Sequence, residues 1–132
     1  MPVLVDTNVI LDMVNEDPVW LDWSRAALES LASGGFLTNA MVYAELCCCA
    51  ESAEEVDALV TAMDLKWSEI PRRALFDASR AHLVYRRRGG TRTSGLPDFF
   101  IGAHADALGV AILTRDPGRY RTYFPRVPLV CP

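Results

Sequence analysis

Four acids in this chain have positions that could do chemistry: two at the ends of apolar runs, one inside an apolar helix and one at a helix start. Asp6 ends the apolar run Val3-Leu4-Val5, and Asp116 follows Ile112-Leu113-Thr114-Arg115. Glu45 interrupts the largely apolar stretch Ala40-Met41-Val42-Tyr43-Ala44-Glu45-Leu46, and Asp98 follows the polar segment 89–95. Carboxylates gathered in one cleft repel each other and stay ionised together only if cations neutralise them. Hard oxygen donors of this kind suit Mg²⁺ or Mn²⁺. Such an ion polarises a phosphate and lowers the pKa of bound water. Each acid also has a plain structural use. A strand-end Asp can cap the next helix, Asp98 can complement a helix N-terminus, and Glu45 can lie on a solvated face.

The elements that must position these acids are legible from apolar patterning. Val3-Leu4-Val5 and 110–113 read as buried strands that each deliver polar residues at their carboxyl ends. Residues 36–38 read as a short second strand and 66–70 as another, stopped by Pro71, while 127–130 fit an edge strand flanked by prolines. Asp17-Pro18 resembles a helix start, with apolar residues at helical spacing over 19–32 and Gly34-Gly35 beyond. Asn39 offers a cap for a helix through Glu45, and Ser52-Ala53-Glu54-Glu55 has capping-box spacing. Residues 73–88 and 97–108 complete the helices, the last closed by Gly109. Strands alternating with helices imply an α/β sandwich around a mostly parallel sheet. Sites in such sheets form outside the carboxyl ends of the strands, so Asp6 and Asp116 should emerge on one edge.

Net charge is −4 over 132 residues, which by itself disfavours a nucleic-acid partner. Its distribution reverses that impression. Residues 1–70 hold thirteen acids and two bases, whereas residues 71–132 hold four acids and eleven arginines. Arginine's planar fork binds phosphate bidentately, which makes Arg86, Arg87, Arg88, Arg92 and Arg115 the candidate nucleic-acid contacts. The run at 86–88 equally suits a solvated helix C-terminus. Length fits one domain over residues 1–132, and 51% hydrophobic composition supports a core without staples. The N-terminus lacks a basic leader, no stretch is long and apolar enough to span a bilayer, and a cytoplasmic protein is expected. Cys47, Cys48 and Cys49 are adjacent, so they point to different sides of a helix and do not make a zinc site alone.

Other candidates carry less. With metal-activated water a histidine base is unnecessary, so His82 and His104 are weak catalytic candidates; His104 also lies six residues beyond Asp98, on another helix face. Ser24, Ser30 and Ser33 form no nucleophile elbow, and segment 89–95 lacks the Gly-Lys ending of a phosphate loop. It is expected as a rim of the site. Trp20, Trp23 and Trp67 read as core or interface residues, and the Trp20–Trp23 pair could line a groove for a partner helix.

Taken in order, Val5-Asp6-Thr7-Asn8-Val9, Glu45, Pro97-Asp98-Phe99-Phe100-Ile101-Gly102-Ala103-His104-Ala105, and Leu113-Thr114-Arg115-Asp116 followed by Tyr120 and Phe124 resemble the four motifs of PIN domains. The resemblance spans the whole chain and is strongest to VapC-type toxins of bacterial toxin–antitoxin pairs. It implies a PIN-like three-layer α/β/α sandwich and a Mg²⁺- or Mn²⁺-dependent endoribonuclease, usually a homodimer, inhibited by a cognate antitoxin. It further implies that Asp6, Glu45 and Asp98 are the core metal ligands and Asp116 the fourth acid. Thr114 is expected to bond a ligand or water and Asn8 to orient the site near Asp6. The cysteine run is not a family hallmark. Two rivals stand beside this reading: a PIN-like module that grips RNA or a partner without cutting, and a metal-dependent hydrolase of DNA or another phosphoester.

Overall fold

The computed structural model describes residues 1–90 and 95–132. Strands β1 (Val3–Val5), β2 (Phe36–Thr38), β3 (Leu65–Trp67), β4 (Ala111–Leu113) and β5 (Leu129–Val130) form one sheet in the order β3-β2-β1-β4-β5. Every pairing is parallel, so the sheet expected to be mostly parallel is parallel throughout. Helices α1 (Thr7–Val14), α2 (Leu21–Leu31), α3 (Ala40–Cys48), α4 (Ala53–Ala62), α5 (Arg72–Arg87), α6 (Leu96–Leu108) and α7 (Gly118–Tyr123) complete a three-layer α/β/α sandwich.

Central position explains the composition of β1. All three of its residues are buried, as a parallel strand covered on both faces requires. From β1 the chain steps to β2 and β3 on one side, then crosses back to β4 and β5 on the other. The reversal between β1 and β4 opens a crevice at their carboxyl ends. Val5 pairs with Leu113, and the Asp6 N–H donates to the Leu113 carbonyl at 2.9 Å. Asp6 and Thr114 therefore leave the sheet side by side.

Local sequence fixes the helices that face this crevice. Asn39 Oδ1 accepts from the Met41 and Val42 N–H groups at 3.0 Å each, setting the start of α3 and with it the place of Glu45. Ser52 caps α4 by accepting from the Glu55 N–H, while Glu55 reaches back to the Glu51 N–H and not to that of Ser52. Helix α6 begins after Gly95 and closes on Gly109, both left-handed at φ 72° and 67°. It packs along α5 and carries Phe99, Ile101, Ala103 and Ala105 into the core. Gly102 lets the Phe124 ring approach, since a Cβ there would lie 2.3 Å from Phe124 Cδ2.

Several boundaries differ from the sequence expectation. Helix α1 was not anticipated, because β-branched Thr7 and Val9 and the short length give little helical propensity. Full burial of Val9 and Ile10 supplies what propensity does not. Asp17 does not open a helix directly. Its Oδ1 accepts from the N–H groups of Val19 and Trp20, closing a turn, and α2 starts only at Leu21. Strand β3 lies earlier than 66–70; the Ser68 N–H reaches Thr38 O, after which the chain leaves the sheet. Helix α7, six residues long, was likewise unmarked by apolar periodicity.

Candidate active site

Asp6 occupies the centre of the crevice and is 4% exposed. Its Oδ1 accepts the Thr7 N–H at 2.8 Å and so caps α1. The structural use of a strand-end Asp and its place among the other acids thus coexist in one side chain. Its Oδ2 accepts three hydrogen bonds: from Tyr120 Oη at 2.9 Å, Thr114 Oγ1 at 2.9 Å and Asn8 Nδ2 at 3.3 Å. Such donors favour the anion. Burial and the charge of Asp98 outweigh them, and the Asp6 carboxyl is pushed up to about 7.

The other three acids surround it. Asp98, in the first turn of α6, comes within 3.5 Å of Tyr120 Oη through Oδ1, so one phenol stands between the two aspartates. Burial raises its pKa, Arg119 opposes the rise, and Asp116 adds to it. Glu45, half-buried on α3, accepts from Thr7 Oγ1 at 2.7 Å. It too is raised, first by burial and further by Asp98, against the Thr7 bond. Asp116 is exposed at the rim, close enough for its charge to act on Asp98. The structure therefore brings Asp6, Glu45, Asp98 and Asp116 to one place.

Asn8 and Thr114 form the floor. The Thr114 hydroxyl donates to Asp6 and accepts from Asn8 Nδ2 at 3.2 Å and from the Asp116 N–H at 3.0 Å. Asn8 Oδ1 in turn accepts the Arg115 N–H at 3.2 Å. These bonds tie the turn after β4 to the start of α1, which fixes where Asp116 leaves the chain.

Among the described residues no three Asp, Glu, His or Cys side chains lie close enough together to hold a metal ion as they stand. The donor set nonetheless fits a hard divalent cation. It consists of carboxylate oxygens; burial first, and then the charge of Asp98, raises the pKa of Asp6 and of Glu45, and burial with the charge of Asp116 raises that of Asp98. A dication would relieve that repulsion for Asp6 and Glu45, as the Arg119 guanidinium already does in part for Asp98.

The arginines are dispersed. Arg115 Nε donates to both oxygens of Asp12, at 3.1 and 2.9 Å, and its guanidinium lies over Trp20. Asp12 is 2% exposed and also accepts from Ser24 Oγ, so Arg115 serves as its counter-ion. Arg86 and Arg87 are exposed on the last turn of α5, and Arg88 stacks on Tyr123. Arg92, like Thr91, Thr93 and Ser94 of the expected rim segment, lies outside the described residues. Three residues at the site were not given a chemical role by sequence reasoning: Thr7, Arg119 and Tyr120. Tyr120 trails the last motif in the sequence, and nothing in its spacing points to Asp6.

His104 is buried away from the acids. Its Nδ1 meets Asn39 Nδ2 at 2.9 Å and its Nε2 meets Ser68 Oγ at 3.1 Å. With the Asn39 amide donating, Nε2 carries the proton and gives it to Ser68. Burial keeps this ring neutral by lowering its pKa. His82 packs edge-on against Phe99 under α5.

A family model for the PIN domain matches residues 3–125. No curated protein matches the chain. Among solved structures, it is similar to VapBC2 from Rickettsia felis bound to a promoter DNA fragment, with TM-score 0.74, 19% identity, and coverage of 99% of this chain and 98% of that one. DNA-bound VapBC from Salmonella typhimurium gives TM-score 0.72 at 16% identity, covering 99% and 98%. FitAcB from Neisseria gonorrhoeae gives 0.68 at 19%, covering 98% and 96%. At these identities the structural likeness speaks to the fold, and the family model adds membership. By fold and by that match over most of its length, this chain belongs to the PIN domain family.

Proposed function

We propose that this chain is an endoribonuclease that hydrolyses RNA phosphodiester bonds with Mg²⁺ or Mn²⁺, and that it is the toxin of a toxin–antitoxin pair limiting translation or growth. The observation that carries the reading is Asp6, buried and triply hydrogen-bonded through one oxygen, with Asp98, Glu45 and Asp116 around it. Asp6, Glu45 and Asp98 would hold the cation, and Asp116 would do so directly or through water. When bound, it would polarise the phosphodiester and activate the attacking water.

The chain's own residues do the positioning. Tyr120, Thr114 and Asn8 hold one oxygen of Asp6 while the α1 N-terminus holds the other, so the carboxylate has little freedom to rotate. Thr7 selects the Glu45 rotamer. Fixed ligands reduce reorganisation when charge builds on the phosphate. The arginines at the end of α5 lie exposed and available to an RNA backbone.

The antitoxin reading draws on the structural neighbours, which are VapBC complexes and a toxin–antitoxin complex from Klebsiella pneumoniae. An apolar groove between α1, α3 and α4, lined by Leu11, Val14, Leu46, Cys49, Val56 and Leu59, has the character of a seat for an amphipathic antitoxin helix. Trp20 and Trp23 do not line it; they pack edge-to-face, and Trp20 lies under Arg115. A homodimer is part of the same proposal.

The test is cleavage of single-stranded RNA by the purified chain in Mn²⁺ or Mg²⁺, with a chelator control and a DNA of matched sequence. RNA is expected to be cut, DNA spared and the reaction stopped by chelation. Cleavage that persists without metal, or equal cleavage of DNA, would overturn the reading.

A further inference from the structure

Arg119 sits beside Tyr120 at the start of α7 and reaches the acidic cluster through the Asp98 oxygen that Tyr120 does not face. Its Nη1 donates to Asp98 Oδ2 at 2.8 Å, and its Nη2 meets Tyr85 Oη at 3.4 Å. The guanidinium carbon lies 5.0 Å from the Tyr85 ring centroid and 5.9 Å from that of Phe99. Both partners of the ion pair are 27% exposed. The seat is shaped for the guanidinium. At Gly95 a Cβ would fall 2.1 Å from Nη1, so the absence of a side chain there is what admits it.

Asp98 thus divides its two oxygens. Oδ1 faces the Tyr120 hydroxyl that also serves Asp6, while Oδ2 is held by Arg119. A dication entering between Asp6 and Asp98 would meet a full positive charge already bound to one of its ligands. Arg119 is always protonated, so the conflict is settled by movement and not by proton loss.

We propose that Arg119 is a resident counter-cation of the cluster: it neutralises Asp98 when no divalent ion is present and competes with that ion for the same carboxylate. The inference rests on the acids being a metal centre, as proposed above. Arg119 restrains Asp98 and sets a threshold for metal entry. Arg119 lines an open depression with Asp116, Gly118 and Thr122, which leaves its guanidinium room to move outward.

The experiment is a Mn²⁺ titration of the full chain followed by electron paramagnetic resonance of the free ion, with circular dichroism to confirm folding. Arg119→Gln is expected to bind Mn²⁺ about tenfold more tightly than wild type, the size of a partly exposed charge-assisted hydrogen bond. Arg119→Lys keeps the charge without the fork and is expected to shift affinity less. If wild type binds Mn²⁺ but a folded Arg119→Gln binds equally or more weakly, competition is wrong while the metal centre stands. If neither chain binds Mn²⁺, the metal centre and the competition fail together.

Discussion

The Tyr120 hydroxyl donates to Asp6 Oδ2 at 2.9 Å, joining residues 114 positions apart in the sequence. The phenol is buried, and burial together with the nearby acids holds its pKa well above the ordinary tyrosine value, so it remains a donor. Tyr120→Phe removes this donor and leaves the ring's packing in place. We expect stability to fall by about 1.5–3 kcal/mol, as for a hydrogen bond to a charged group. Activity should fall roughly tenfold as Asp6 loses a restraint. Urea denaturation and RNA cleavage on the same preparation measure both.

Asp6 predicts an inverted pH dependence for the metal-free chain. The folded carboxyl titrates at about 7, against an ordinary value of 3.8. The folded state therefore binds the proton more tightly, and this group's contribution to stability is fully present below 3.8 and lost as pH rises through about 7. Mn²⁺, which needs the ionised form, should raise the melting temperature more at pH 8 than at pH 5. Thermal melts with and without Mn²⁺ across that range check the sign, and an equal shift at both ends would contradict it.

The arginines should separate into two classes. Arg115→Ala leaves Asp12 buried with Ser24 as its remaining side-chain partner, and should destabilise the chain by about 2 kcal/mol, discounted for the arginine's partial exposure. Arg86→Ala and Arg87→Ala should leave the melting temperature unchanged. Each should instead weaken RNA binding and reduce the slope of log affinity against log salt by about 1. Filter binding at several salt concentrations, beside urea denaturation, distinguishes the classes.

Gly102→Ala tests the packing beneath the site. The added methyl would overlap the Phe124 ring, at a cost of about 1–3 kcal/mol. Because Phe124 follows α7, its displacement also moves Tyr120, so activity should drop with stability. A melt and a cleavage assay of the same variant read this coupling.

Much of this architecture is written in short-range pattern. Apolar runs ending in Asp6 and before Thr114 mark β1 and β4, and Asn39 and Gly109 mark helix ends by local backbone chemistry. Asp6 and Asp116 are legible as acids at strand ends, Glu45 as a carboxylate in an apolar helix, and Asp98 as an acid opening a helix after a Gly-rich loop. What escaped was set by tertiary contact. Helix α1 forms because Val9 and Ile10 are buried, against weak propensity. Arg115 looked free to meet phosphate until Asp12, 103 residues earlier, was seen to hold it. Thr7 and Tyr120 fall in or just after the quoted motifs and Arg119 in none, but neither periodicity nor spacing gives any of them its role, which comes from the parallel register of β1 with β4 and the placement of α7.

The most direct measurement is RNA cleavage by Asp6→Asn in saturating Mn²⁺, with folding verified by circular dichroism. The substitution keeps the shape of the side chain and removes its charge from the centre of the cluster. We predict a loss of at least about a hundredfold in rate, in line with removal of a group that stabilises developing charge, with the fold retained. Cleavage by the folded variant at the wild-type rate would contradict the assignment of these acids as the catalytic centre.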